Sequence, residues 1–217
     1  MKAGQILEVR ATDPAFGADV ESWCNRTGNE FKGSSREGKV IKALIKKGIE
    51  KNMDLSNVSL GGNDKTMVVF SGDLDKAIAS FIIANGAAAM GRKVTMFFTF
   101  WGLNVLRKND NIKVKKSFLE SMFGMMMPRG TSKLGLSKMN MGGMGGKMIR
   151  YIMDKKNVFS LDELIEQAKV QGVRLVACSM SMDIMGIKEE ELIPGIEIGG
   201  VASYLASAET ADTNLFI

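Results

Sequence analysis

Thr66-Met67-Val68-Val69-Phe70, followed by Ser71-Gly72-Asp73 and then by an Ala- and Ile-rich stretch from Leu74 to Met90, decides the fold. The first five residues form a continuous apolar run, the pattern of a strand covered on both faces in a parallel sheet. Ser71-Gly72-Asp73 supplies a turn and a cap, and the helix expected after it ends at Gly91. The same rhythm returns downstream. Val94 to Phe100 reads as a second buried strand. Ser160 and Glu163 stand at capping-box spacing and open a helix that runs to Gln171, before Gly172. Arg174 to Ala177 is a third strand and Ile196-Glu197-Ile198 a fourth. Gly199-Gly200 leads into a helix over Val201 to Ala208, and Leu215-Phe216-Ile217 adds an edge strand. Strands alternating with helices imply a layered α/β domain with a parallel sheet. In such sheets reactive groups and ligands gather beyond the carboxyl ends of the strands.

Upstream the pattern is different. Gly4 to Arg10 alternates apolar and polar residues, the period of a half-buried strand, and Asp13-Pro14 breaks it. Ala18 to Thr27 reads as a helix that places Val20, Trp23 and Cys24 on one face, with Asp19 and Glu21 early and Gly28 at its stop. Cys24 is therefore expected to face inward. Lys32 to Gly38 reads as a turn-rich connector. Lys39 to Lys47 fits a strand or a short amphipathic helix, and periodicity alone does not decide between them. Asn57 to Asp64 is rich in Ser, Asn, Gly and Asp, which marks a linker and a domain boundary.

With 217 residues, 45% hydrophobic and 24% charged, the chain has the composition of a globular protein with a real core. Two cysteines do not make a disulfide framework. No secretory signal or bilayer-crossing run is evident, so a reducing cytoplasm is expected and a membrane partner is not. The net charge of +5 comes from dispersed lysines without interleaved aromatics, which argues against nucleic acid and leaves room for an acidic protein partner. There is no histidine, which excludes Ser-His, Cys-His and His-metal chemistry. Any nucleophile must be activated by backbone, lysine or carboxylate.

Cys178 is the candidate nucleophile. It closes the apolar run Arg174-Leu175-Val176-Ala177 and opens the stretch Ser179-Met180-Ser181-Met182-Asp183-Ile184-Met185-Gly186. If a helix follows, the thiol sits near unpaired N–H groups and the positive end of a dipole, where a thiolate is favoured. It would then serve as nucleophile or sulfur carrier; the alternative is a buried structural cysteine. Between Met122 and Met148, eight methionines are interleaved with glycines. Thioethers suit copper(I), but a mobile lid or docking loop over Cys178 is the more economical reading, and no metal site is assigned. Gly142-Gly143-Met144-Gly145-Gly146-Lys147 fails as a phosphate loop, since Met141 and Met148 occupy places the motif reserves for glycine and Ser or Thr. Ser71-Gly72-Asp73-Leu74 supplies only one glycine, so a dinucleotide cofactor is not expected, and a small anion at the N-terminus of the following helix stays open. Asp73 and Asp75 read as helix-capping residues. Asp183 is placed to position a protonated donor or to raise the thiol pKa, and Trp101 and Leu103 wall the same edge or simply pack.

Residues 65–217 resemble the DsrE/DsrF-like sulfur-relay family. The resemblance rests on Lys65 to Ala77 (KTMVVFSGDLDKA), Met96 to Leu103 (MFFTFWGL) and Ala177 to Asp183 (ACSMSMD). It implies a persulfide carrier or sulfurtransferase, commonly a homo-oligomer, with Cys178 in the carrier role. Gly4 to Phe31 separately resembles the second half of a TusA/SirA-like sulfur carrier, through Gly4 to Pro14 and Trp23 to Gly28. That family's working thiol lies in an earlier Cys-Pro-x-Pro motif, and the present sequence starts after it. Cys24 therefore does not inherit the role, and residues 1–56 read as an incomplete, truncated α+β TusA-like module, joined by the linker 57–64 to the DsrE-like domain 65–217. Three functions follow as expectations: persulfide relay through Cys178 between donor and acceptor proteins or small thiols, without a cofactor; a non-catalytic interaction or soft-metal module using residues 122–148; and thiol redox chemistry, weakened because no resolving cysteine lies near Cys178 in sequence.

Overall fold

The computed structural model describes residues 1–12, 16–48 and 62–217. The linker expected at residues 57–64 falls largely outside them, and Asp64 already opens a strand. The larger unit is built on five strands: β4 (Asp64–Val69), β5 (Val94–Phe98), β6 (Arg174–Cys178), β7 (Glu197–Gly199) and β8 (Ala211–Phe216). They lie in the order β7-β6-β5-β4-β8, and all four pairings are parallel. β5 is buried at every position and β6 from Leu175 onward, as their unbroken apolar sequences require. β8 is one of the two edges, fastened to β4 by Thr66 with Asn214 and by Lys65 with Asp212.

Because successive residues of a strand point to opposite faces, β5 divides its side chains between two cores. Met96 and Phe98 join the larger core under α2 (Leu74–Ala89) and α5 (Leu161–Val170), with Phe81 of α2 stacked on Phe98 at 6.0 Å. Asn85 of α2 donates to the Leu164 carbonyl of α5 at 2.9 Å and locks the two helices together. The capping box read from Ser160 and Glu163 is present at the start of α5. Phe97 points the other way, toward α7 (Val201–Ala208).

Between β5 and β6 the chain makes a 3₁₀ segment (Phe100–Leu106), α3 (Phe118–Met126) and α4 (Met144–Lys155) before α5; α6 (Ser179–Met185) follows β6. This long insertion is tied back to α2 by Asp75, whose carboxylate accepts from the Ser137 amide and hydroxyl. α3 carries a Ser117/Glu120 capping box, and Lys188 donates to Glu120 at 2.6 Å. The Lys188 ammonium and the Ser117 contacts pull Glu120 from 4.5 to about 2. A lowered carboxylate pKa stabilises above the unfolded value and loses that contribution as pH falls through the folded one. The protection of the α3 amides, taken relative to intrinsic exchange at each pH, is accordingly expected to fall between pH 4.5 and about 2, and unchanged protection across that window would remove Glu120 as the anchor.

The N-terminal unit is a three-stranded antiparallel sheet, β1 (Ile6–Ala11), β3 (Val40–Lys46) and β2 (Glu30–Glu37) in that order, with α1 (Phe16–Thr27) across it. Val20 and Cys24, one turn apart, pack on Ala43 and Ile45, so the inward reading of Cys24 holds. Trp23 sits on the flank of that stripe and stays 48% exposed, which corrects its assignment to the buried face. Residues 32–38 are also corrected. Residues 32–37 belong to β2 and not to a connector, because their backbone pairs with β3 through a bulge between Phe31 and Gly33, where Gly33 takes φ +123°, and of the stretch 32–38 Gly38 alone lies in a turn. Pairing with a neighbour overrides a turn-like composition. The same pairing settles the stretch read at 39–47 in favour of strand, over Val40–Lys46.

Candidate functional site

Cys178 is the last residue of β6 and the N-cap of α6. Its neighbour across the ladder is Gly199 at the end of β7. The register Phe97↔Val176 sets those two residues side by side, and Cys178, two positions further along β6, faces the same way. Phe97, Val176 and Cys178 form a small core beneath Tyr204 of α7, whose ring lies 5.3 Å from that of Phe97. The thiol is therefore at the carboxyl end of a central strand, yet only 2% of Cys178 is exposed. α7, through Tyr204, packs on the small core that holds it.

That helix is held by the N-terminal unit. α7 begins at Gly200 without a side-chain cap of its own. Asp19 of α1 provides one from outside: its Oδ1 accepts from the amides of Gly200 at 3.1 Å and Ser203 at 3.3 Å. A Cβ on Gly200 would come within 1.9 Å of the Asp19 carboxylate, so the close approach requires glycine there. Removing a cap of this kind costs about 1 kcal/mol. Asp19→Ala is expected to speed amide exchange in α7 and alkylation of Cys178 together. Faster exchange without faster alkylation would mean that α7 is not what shields the thiol.

The remaining candidates disperse. Asp73 accepts from Ser71 and pairs with Lys76 at 2.8 Å, and Asp75 holds the insertion, so neither reaches Cys178. The place considered for a small anion is filled by the protein itself, since the Leu74 amide donates to the Gly135 carbonyl at 2.7 Å. Asp183 is exposed on α6 and acts electrostatically on Lys188. Leu103 is core, while Trp101 is half exposed and walls a cavity with Phe70, Asp73 and Pro128 beyond β4. Thr99 and Ser181 share a 2.7 Å hydrogen bond that joins the end of β5 to α6. Residues 122–148 do not form the expected lid over Cys178. The side chains clustered with the thiol come from β5, β6 and α7, whereas Met127, Leu134 and Leu136 join the core on the opposite face of the sheet. Cys24 belongs to the separate core of the N-terminal unit, where burial pushes its thiol up. The sequence reading missed two participants, Tyr204 and Asp19. The Asp19 contact spans 181 residues, and no local pattern announces it.

Comparison with known proteins places these units. The chain is 61% identical over 152 residues to YrkE of Bacillus subtilis, covering 70% of this chain and 95% of that protein. It is 37% identical over 155 residues to the sulfur carrier protein DsrE2 of Allochromatium vinosum, covering 70% of this chain and 96% of that one. Its N-terminal part is 45% identical over 47 residues to the sulfur carrier protein TusA of the same organism, 22% of this chain and 62% of that protein. The Sulfurtransferase TusA family model matches residues 1–47. With residues 62–216 matching the DsrE/DsrF/DrsH-like family model, the chain belongs to that family and carries a TusA-type domain ahead of it.

Proposed function

We propose that the protein is a persulfide carrier of sulfur relay, passing sulfane sulfur through Cys178. The observation that carries this is the position of a thiol at the carboxyl end of β6 and the N-cap of α6, in a family whose context is sulfur carriage or transfer. In the first step the Cys178 thiolate attacks the terminal sulfur of a donor persulfide. A new S–S bond forms at Cys178, the donor S–S bond breaks, and the donor leaves as a thiolate. An acceptor thiolate then attacks the terminal sulfur of the Cys178 persulfide and expels the Cys178 thiolate. Sulfur moves without net oxidation or reduction, so no cofactor is needed. Because Cys178 is covered, loading is coupled to displacement of α7, and a partner that grips the α1/α7 layer would open the site as it docks. Donor and acceptor are sulfur-transfer proteins or small thiols in a reducing compartment.

Intact-protein mass spectrometry after incubation with a persulfide donor tests the proposal, with the parent compared against Cys178→Ser and Cys24→Ser. A reducible gain of one sulfur atom that disappears only in Cys178→Ser is the expected result. No gain in any form overturns it.

One observation favours a second reading, an interaction module. Phe118 (83% exposed), Met125 (86%) and Met126 (77%) leave α3 with an open apolar surface, which suits a partner or a second copy of the chain. That reading requires binding to survive Cys178→Ser.

A further inference from the structure

A second cavity, unrelated to the thiol, lies under α3. Its volume is about 850 Å³, toward the upper end of the roughly 300–1,000 Å³ range usual for small-molecule sites. Lys113, Lys116, Arg129 and Lys133 line it, with one carboxylate, Glu191. Glu191 is fully buried and both of its oxygens are committed. Oε1 receives Arg107 at 3.1 Å and Arg129 at 3.0 Å. Oε2 receives Lys116 at 2.5 Å and the Lys188 amide at 2.9 Å. Lys116 and Arg107 are themselves almost fully buried. Three cations thus converge on a single anion, a surplus of two positive charges in a desolvated place. Glu120 of α3 is already engaged by Lys188.

Two further features show that the cluster is unfinished. Arg129 Nη1 is buried and has no hydrogen-bond partner among the described residues, and the same holds for Arg107 Nε. Burial and the neighbouring Arg129 guanidinium pull Arg107 down, and Glu191 offsets this only in part. A buried donor without an acceptor and an uncompensated buried charge are both costly, and an oxyanion relieves both at once. The rest of the wall sets Asn109, Asn111 and Ser121 beside an apolar side that includes Ile112, Met125 and Met127, and the cavity is larger than a bare inorganic ion requires.

We propose that this cavity binds a small organic molecule bearing a doubly charged oxyanion group of the phosphate-monoester kind, seated on Arg129 and Lys116 with its apolar body against the methionine wall. The proposal is independent of sulfur transfer. Its test is calorimetric titration of the full chain at low salt with phenyl phosphate, inorganic phosphate and phenol. Phenyl phosphate is expected to bind most tightly, inorganic phosphate more weakly and phenol not at all. Arg129→Gln and Lys116→Gln are each expected to weaken phenyl phosphate by roughly tenfold or more, as loss of a charge-assisted hydrogen bond implies. Lys147→Gln, at an exposed position outside the cavity, should leave binding unchanged. Absence of binding by either phosphate at millimolar concentration would overturn the proposal. So would equal weakening by Lys147→Gln, or unchanged affinity in a folded Lys116→Gln protein.

Discussion

Glu191→Ala is expected to be the most damaging single substitution away from the thiol, with a loss of about 3–5 kcal/mol in unfolding free energy, the range found when one partner of a buried ionic cluster is removed. Arg107, Lys116 and Arg129 would then face one another without their shared anion. Glu191 also accepts from the Lys188 amide, and so ties the segment after α6 to the segment before α3. Glu191→Gln separates charge from shape, since it keeps the volume and one carbonyl oxygen while deleting the negative charge. It should recover only a minor part of the loss. Burial opposes ionisation of Glu191, but Lys116, the Lys188 amide and Arg107 outweigh it and hold the carboxyl below the usual range. Its contribution is therefore fully present above the unfolded carboxylate pKa and is lost as pH falls through the lowered folded value. Urea unfolding at neutral pH measures the effect directly. A loss within about 0.5 kcal/mol, the range of ordinary surface substitutions, would mean that the cluster contributes nothing net.

Much of the larger unit was legible because its elements state their own period. The apolar runs of β4, β5 and β6 and the capping box at Ser160 each specify one element without outside help. What escaped was decided between distant segments. Lys32 to Glu37 has the composition of a turn and becomes strand only because β3 offers it a ladder. Cys178 could be placed at a strand end from sequence, but the face it points to depends on the register of β6 against β5 and on Tyr204 arriving from α7. The methionine- and glycine-rich insertion read as a lid for the thiol because both were unassigned. It packs on the other face, where Asp75 and the α2/α5 core hold it. Nothing in Glu189-Glu190-Glu191 separates the third residue from a solvated acidic run. Only a fold that brings in Arg107, 84 residues away, buries it.

Cys178→Ser is expected to abolish sulfur loading outright, since the relay proceeds through one sulfur atom and the substitution replaces it with an oxygen that cannot hold sulfane sulfur under these conditions. Cys24→Ser should load like the parent. Cys24 is wholly enclosed by α1 and its sheet, and burial favours the protonated thiol, which is the unreactive form. The two cysteines also lie in separate cores, which leaves a disulfide between them without a route in the folded protein. Kinetics then distinguish a carrier from a merely buried cysteine. If α7 must move before Cys178 reacts, loading should be slow in the resting protein, faster in Asp19→Ala, and unchanged in extent in both. A loading rate in Asp19→Ala equal to that of the parent would detach the TusA-type domain from access to the site. Full loading of Cys178→Ser would place the sulfur on another residue and end the assignment. The expected pattern would instead make the contact between α1 and α7 the element a sulfur-transfer partner has to loosen before sulfur can pass.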